Sequence, residues 1–268
     1  RAARDLSVDQ PTLEENPARV IPQRSPAADS RWRCGRVNTG EHMMNTQIMN
    51  TPTLSLGAVL YPGFEMLDYF GPLELFSVLG SARMTIHTVA QQAGPVAAAL
   101  GSEGAIGPKV IADHSFADAP AFDVLLVPGG SGTLTELENE VMLDFLRRQS
   151  KTAQWITSVC TGSALLAKAG LLDGHRATSN KQVFALASSQ SDRVDWVEAA
   201  RWVEDGKFFT SSGVSAGMDM SLAIIQKIWG KEIAEMAASY TEYTWHRDAN
   251  SDPFAAELNV FAKQLGLV

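Results

Sequence analysis

From Leu54 onward the sequence alternates short apolar runs, bounded by Gly and Pro, with segments whose apolar residues recur at helical spacing. An apolar run of strand length without polar alternation needs cover on both faces. That demand singles out an α/β fold, an open, mostly parallel sheet with helices on both faces. Strands are expected at 54–61, 84–90, 122–127, 155–159, 176–179 and 208–211, and helices at 72–79, 138–150, 162–169, 182–188, 215–229 and 231–245. Residues 94–113 are rich in Gly, Ala and Val without helical period and read as a small β-hairpin. No internal repeat or low-complexity tract interrupts the pattern.

Residues 1–53 are of another kind, with 5 of the 12 prolines, no Phe or Tyr, and 7 basic against 6 acidic residues. They read as an extension that does not fold by itself, ahead of an α/β domain at 54–250 and a C-terminal tail or helix at 251–268. Arg1 opens the chain in place of Met, and Met43, Met44 and Met49 stand just before the first apolar run. One of these is the expected native start, with the preceding residues as upstream sequence. Lys and Arg number 22 against 30 Asp and Glu, a net charge of −8, so a broad basic surface for nucleic acid is not expected. Cys34 and Cys160 are too few for a disulfide framework or a cysteine-rich zinc site, which fits a reducing, cytoplasmic compartment. The longest window without formal charge, 84–102, is broken by Gln91, Gln92, Gly94, Pro95 and Gly101, so no membrane span is expected. Residues 1–30 carry charges throughout, unlike a secretory leader.

In an open α/β sheet, ligands bind beyond the carboxyl ends of the strands. Four segments fall there: Tyr61-Pro-Gly-Phe-Glu-Met-Leu-Asp68, Pro128-Gly-Gly-Ser-Gly132, Ser158-Val-Cys-Thr-Gly-Ser163 and Ser211-Ser-Gly-Val-Ser215. Cys160 follows an apolar strand and precedes a short helix closed by Gly170, a nucleophile-elbow context. The unpaired N–H groups of a helix start favour a thiolate and are expected to lower the thiol pKa. An inert buried thiol is the competing reading, at even weight.

A reactive thiol needs a proton carrier, and the histidines are poorly placed for it. His42 lies in the extension, His87 and His114 in or beside β segments, and His246 in an exposed position after the last helix. His175 begins a strand, roughly 15 Å from the elbow at about 3.3 Å per residue. An acid fits better. Asp68 is expected in a short loop at the crevice rim, with Pro72 opening the next helix, although a turn or capping role competes. Beside a desolvated thiolate its pKa would rise and it would donate a proton. Glu65 and Glu74 are weaker choices. The N–H groups of Gly129, Gly130 and Thr161 are expected to form an anion-stabilising pocket, against the alternative of an ordinary tight turn.

Together, Leu67-Asp68-Tyr-Phe-Gly71-Pro72, Phe122-Asp-Val-Leu-Leu-Val-Pro-Gly-Gly130, Thr157-Ser-Val-Cys-Thr-Gly-Ser163 and Gly213-Val-Ser-Ala-Gly-Met-Asp219 resemble the ThiJ/PfpI superfamily. The resemblance covers about residues 54–250 and implies a flavodoxin-like fold related to class I glutamine amidotransferases. The pair Cys160-Thr161 makes the chain most similar to the isocyanide hydratase branch, whose acid maps onto Asp68. That branch implies hydration of a small-molecule isocyanide to an N-substituted formamide, in a homodimer without metal or organic cofactor. Thr161 would assist catalysis, and Ser212, Val214 and Asn180 are candidate substrate contacts. One departure stands out: Thr178-Ser179-Asn180 replaces the Thr-Thr-His of many members, and Asn cannot accept a proton from a thiol. Glyoxalase, deglycase or amidase chemistry on the same cysteine, and a non-enzymatic redox or ligand sensor, are the alternatives. The segment after residue 230 is too short for a pair of helix-turn-helix motifs.

Overall fold

A computed structural model describes residues 53–101, 105–264 and 266. Residues 1–52, with Cys34, His42 and the three candidate start methionines, lie outside the described residues. The strands are β1 (Leu54–Val59), β2 (Met84–Ala90), β3 (Gly94–Leu100), β4 (Ala105–Ala112), β5 (His114–Ser115), β6 (Val124–Val127), β7 (Trp155–Ser158), β8 (Arg176–Ala177), β9 (Asp195–Trp196), β10 (Trp202–Asp205) and β11 (Phe208–Ser211). The main sheet runs β10-β11-β7-β6-β1-β2-β5. Every pair in it is parallel except β10 with β11. Helices Met66–Ser77, Glu140–Ser150, Gly162–Lys168 and Ala216–Trp229 cover the faces. The sheet interior is the core: Leu56, Ala58, Val124, Leu125, Leu126, Ile156 and Phe209 are fully buried. Each large side chain among them contributes about 1.5–3 kcal/mol of transfer free energy.

The chain leaves β1 towards β2 and leaves β6 towards β7, so the strand order reverses between β1 and β6. A crevice opens at such a switch point. Register brings three strand ends to one level, with Val127 paired to Ser158 and Thr210 paired to Ser158. The segments that follow, at Pro128, Val159 and Ser212, therefore emerge side by side.

Several elements differ from the sequence reading. The expected strand at 176–179 shrinks to β8, which pairs with β9 outside the main sheet. Its successor Thr178 gives its N–H to the Thr210 hydroxyl, a side-chain bond that ends ladder pairing. The sheet edge there is β10, joined to β11 by the two-residue turn Gly206-Lys207 with Gly206 at φ 60°. Gly in the first loop position was the available hairpin signal. The first helix begins at Met66 rather than Pro72, so Asp68 sits in its first turn and Gly71-Pro72 lie inside it. Proline removes a helical N–H there, and packing against Ala216–Trp229 holds the helix nonetheless. The 94–113 hairpin is present as antiparallel β3 and β4. No described helix is long and apolar enough to cross a membrane.

Candidate active site

Cys160 stands where β7 turns into the Gly162–Lys168 helix, at φ 58°. A left-handed backbone is unfavourable for a residue with a Cβ, costing about 1–2 kcal/mol, and persists only where neighbours hold it. Here the Cys160 N–H donates to Ser212 O at 3.2 Å. The Cys160 carbonyl accepts from the hydroxyls of Ser163 and Ser179, both at 3.1 Å. Val214, on the neighbouring strand end, is also left-handed at φ 46°, which is rarer still for a β-branched side chain. Two strained residues from two loops thus meet at one point.

Asp68 has no exposed surface. Its Oδ2 accepts from Gly129 N at 2.9 Å, while Oδ1 is buried without a partner. Gly129 is required there: a Cβ would stand 2.6 Å from Thr161 N and 2.9 Å from Asp68 Oδ2. Burial raises the Asp68 carboxyl to about 8, with the Glu65 charge adding to the shift and the Gly129 N–H opposing it. Asn180 Nδ2 donates to Cys160 Sγ at 3.1 Å, and its Oδ1 accepts from Val183 N at 3.2 Å, which fixes the direction of the amide. Gly213 packs against that amide where any side chain would collide. Burial also pushes the Cys160 thiol well up, and the Asp68 charge pushes it further. The N–H groups of Thr161, Asn180 and Val214 work the other way. The expected lowering by the helix start is therefore overturned: desolvation and a like charge outweigh it.

The expected anion pocket is also different. The Gly129 N–H is taken by Asp68, and the Gly130 N–H donates to Thr161 Oγ1 at 3.1 Å. Thr161 Oγ1 lies 2.8 Å from Thr133 Oγ1, which lies 3.1 Å from the Tyr61 hydroxyl, and that hydroxyl donates to Pro128 O at 2.8 Å. With each hydroxyl donating once, the chain runs from Gly130 N–H back to the carbonyl two residues before it. It clamps the Gly129–Gly130 turn.

Beside Cys160 lies an open cavity of about 400 Å³, within the usual range for small-molecule sites. Gly130, Thr161, Asn180 and Val214 share its wall with Cys160. Gly129 and Asp68 do not line it, and Ser212 lines a neighbouring cavity instead. Glu65, set aside in the sequence reading, is the acidic side chain of the wall. Leu134, Val183, Leu186 and Phe261 supply most of its apolar part and went unforeseen, because helical period marks Val183 and Leu186 as core, Leu134 lies outside the expected helices, and Phe261 lies far along the chain. A larger cavity of about 500 Å³, lined by Tyr61, Pro95 and Glu136 among others, does not include Cys160.

The histidines bond elsewhere. His87 Nδ1 and His114 Nε2 are 3.3 Å apart, and His175 Nδ1 faces Asp205 Oδ2 at 3.3 Å. His246, expected to be exposed, is half-buried: its N–H donates to Asp219 Oδ1 and its Nε2 lies 3.0 Å from Ser251 O. Among the described residues no group of three or more His, Cys, Asp or Glu is arranged to hold a metal ion.

A doubly wound α/β domain with a cysteine elbow beside its switch point defines the class. The DJ-1/PfpI family profile matches residues 58–227, and the chain belongs to that family. It is 35% identical over 195 residues to the isonitrile hydratase of Pseudomonas putida, covering 71% of this chain and 78% of that protein. It is 31% identical over 182 residues to the HTH-type transcriptional regulator GbdR of Pseudomonas aeruginosa. That match covers 64% of this chain and 47% of the regulator, so the chain spans about half of that protein's length. A solved ThiJ/PfpI family protein from Pseudomonas syringae aligns with a TM-score of 0.68 at 27% identity, covering 87% of this chain and 94% of that one.

Proposed function

We propose that the protein hydrates isocyanides, R–N≡C, to N-substituted formamides, with Cys160 as nucleophile and Asp68 as proton carrier. The observation that carries this reading is the pairing itself. A thiol adjoins a fully buried carboxyl that holds its proton up to about pH 8, and an amide donor rather than an imidazole faces the sulfur. Likeness to the Pseudomonas putida isonitrile hydratase supports the same chemistry.

The reactive form of the pair carries one proton, on Asp68. That removes the Asp68 charge opposing Cys160 ionisation, and the three N–H donors around Sγ work against the burial that raises the thiol. Sγ attacks the terminal carbon, forming the S–C bond, and Asp68 delivers its proton to that carbon to give the thioimidate R–N=CH–S. Asp68 Oδ1, without an internal partner, is the oxygen free to do so. Water then adds to the carbon, giving one proton to the Asp68 carboxylate, and the proton left on its oxygen passes to nitrogen. The S–C bond breaks with its electron pair returning to sulfur, and R–NH–CHO departs. Cys160 and Asp68 end as they began. Gly129 aligns the acid, while Thr161, Gly130 and Val214 shape the approach to the sulfur.

Glyoxalase, deglycase or amidase chemistry through a Cys-His pair lacks its base, since each described histidine is engaged elsewhere. A non-enzymatic oxidation sensor would use the same sulfur, and turnover is what separates it from the hydratase. Incubation with p-nitrophenyl isocyanide is the test, with the formamide expected from wild type and absent for Cys160→Ala. No conversion under conditions where the Pseudomonas putida enzyme acts would overturn the reading. Lactate from methylglyoxal, lost with Cys160→Ala, would install the glyoxalase class, and sulfinic acid without turnover the sensor. The homodimer and the lack of cofactor belong to the same proposal. Light scattering tests the first, and activity that survives exhaustive chelation, in protein whose native mass shows no bound organic group, tests the second.

A further inference from the structure

The wall of the Cys160 cavity is uneven. Leu134, Val183, Leu186, Val214 and Phe261 supply apolar surface, and among the described residues no Lys, Arg or His lines it. Among the described residues its one charged side chain is Glu65. An anionic ligand would lose hydration there and meet a like charge, with no cation among the described lining residues to offset either.

Phe261 reaches this wall from the far end of the chain, and its delivery is specific. Asn259 adopts φ 59°, a conformation Asn tolerates better than most residues. Its N–H donates to Lys181 O at 2.8 Å, and its Oδ1 accepts from Ala185 N at 2.7 Å. The N–H groups of Phe261 and Ala262 both donate to Gln182 O, at 3.0 and 2.9 Å. Gln182 Nε2 in turn donates to Glu257 Oε2 at 2.6 Å, and Ala262 is fully buried. The C-terminal segment is thereby stitched to residues 181–185, the stretch that follows Asn180, the donor to Cys160 Sγ.

We infer that Phe261 is a specificity-determining residue: the C-terminal segment completes the site so that it selects uncharged, bulky apolar substituents R and rejects carboxylates. The inference rests on the hydratase reading for the identity of the reacting group. The selection itself is a property of the wall.

Kinetics of wild type, Phe261→Leu and Phe261→Ala with methyl isocyanide, cyclohexyl isocyanide and isocyanoacetate test it. Wild type favours cyclohexyl over methyl in kcat/KM. Phe261→Ala reduces that ratio about tenfold, mainly through KM, with Phe261→Leu between. Isocyanoacetate is the poorest substrate, and Glu65→Gln narrows its deficit. An unchanged cyclohexyl-to-methyl ratio in Phe261→Ala, or isocyanoacetate turned over as well as cyclohexyl isocyanide, overturns the inference. Should no isocyanide be converted, the hydratase reading falls and the wall is read by labelling Cys160. The rate with N-cyclohexylmaleimide relative to iodoacetate should drop in Phe261→Ala, and a constant ratio would sink the proposal.

Discussion

Two buried clusters of ionisable groups behave in opposite ways. One is Asp68 with Cys160, two acids that face each other without a cation. The other joins Lys181, Arg201, Asp219 and Asp252. There, Arg201 Nε meets Asp219 Oδ2 at 2.8 Å and Arg201 Nη1 stands 3.6 Å from Asp252 Oδ1, while Lys181 Nζ stands 3.9 Å from Asp252 Oδ2. Tyr243 and the His246 N–H bond Asp219, and Lys181 also donates to Thr178 Oγ1 and Ala200 O. Both clusters are almost wholly buried. Burial alone therefore does not mark a reactive site. Matched charges fasten the chain after residue 240 to the core, although Arg201 Nη1 and Asp252 Oδ2 have no hydrogen-bond partner among the described residues, whereas two acids without a cation leave a proton that is free to move.

The largest expected effect separates chemistry from stability. Cys160→Ala abolishes isocyanide turnover, and Asp68→Asn lowers it by roughly 10²–10⁴-fold, the usual contribution of a positioned acid. Both variants fold, because Asn keeps an acceptor for the Gly129 N–H. In the ion cluster the order reverses: Arg201→Met leaves Asp219 without its cation and destabilises by about 3–5 kcal/mol in urea denaturation. A destabilised Asp68→Asn with intact turnover would dissolve the distinction.

Asn180→Ala is next, removing a hydrogen bond to a developing charge of about 1.5–3 kcal/mol, or roughly 10–100-fold in kcat/KM. Asn180→Asp loses more, since it adds a second negative charge facing the sulfur.

Stability against pH gives slopes of opposite sign. Asp68 holds its proton in the folded state up to about 8, above its unfolded value. Its favourable contribution is complete below the unfolded pKa and is lost as pH rises towards 8. Wild type should thus lose ground to Asp68→Asn from about pH 4 to 8, by at most about 1.4 kcal/mol per pH unit. Lys181 is the reverse case. Burial lowers it to about 8, so between about pH 8 and 10.5 the unfolded chain binds the extra proton and stability rises relative to Lys181→Met. Parallel wild-type and variant curves in either window would remove that contrast.

The smallest effect belongs to the hydroxyl chain. Tyr61→Phe leaves Thr133 without its acceptor at one end and frees Pro128 O, costing about 1 kcal/mol in stability. A larger loss in turnover than in stability would show that the Gly129–Gly130 turn positions Asp68.

Much of this was legible in the sequence for local reasons. Segments 84–90 and 208–211 became β2 and β11 without change, because short stretches rich in β-branched and aromatic residues, bounded by Gly and polar turns, favour strands. Cys160 at a strand-to-helix turn was also readable. Pro72 misled about the first helix, since tertiary packing overrode a helix-breaking residue. Gly206 in the first loop position carries the signal of the β10–β11 hairpin.

Period and punctuation in the sequence decided the doubly wound sheet and the elbow at Cys160, since both follow from short-range sterics and from which faces need cover. Only the tertiary structure decided the sign of the Cys160 shift, the capture of the Gly129 and Gly130 N–H groups, the Asn180 contact and the arrival of Phe261. Each depends on the distance between residues far apart in the chain and on the water excluded between them, and neither quantity is written in local sequence.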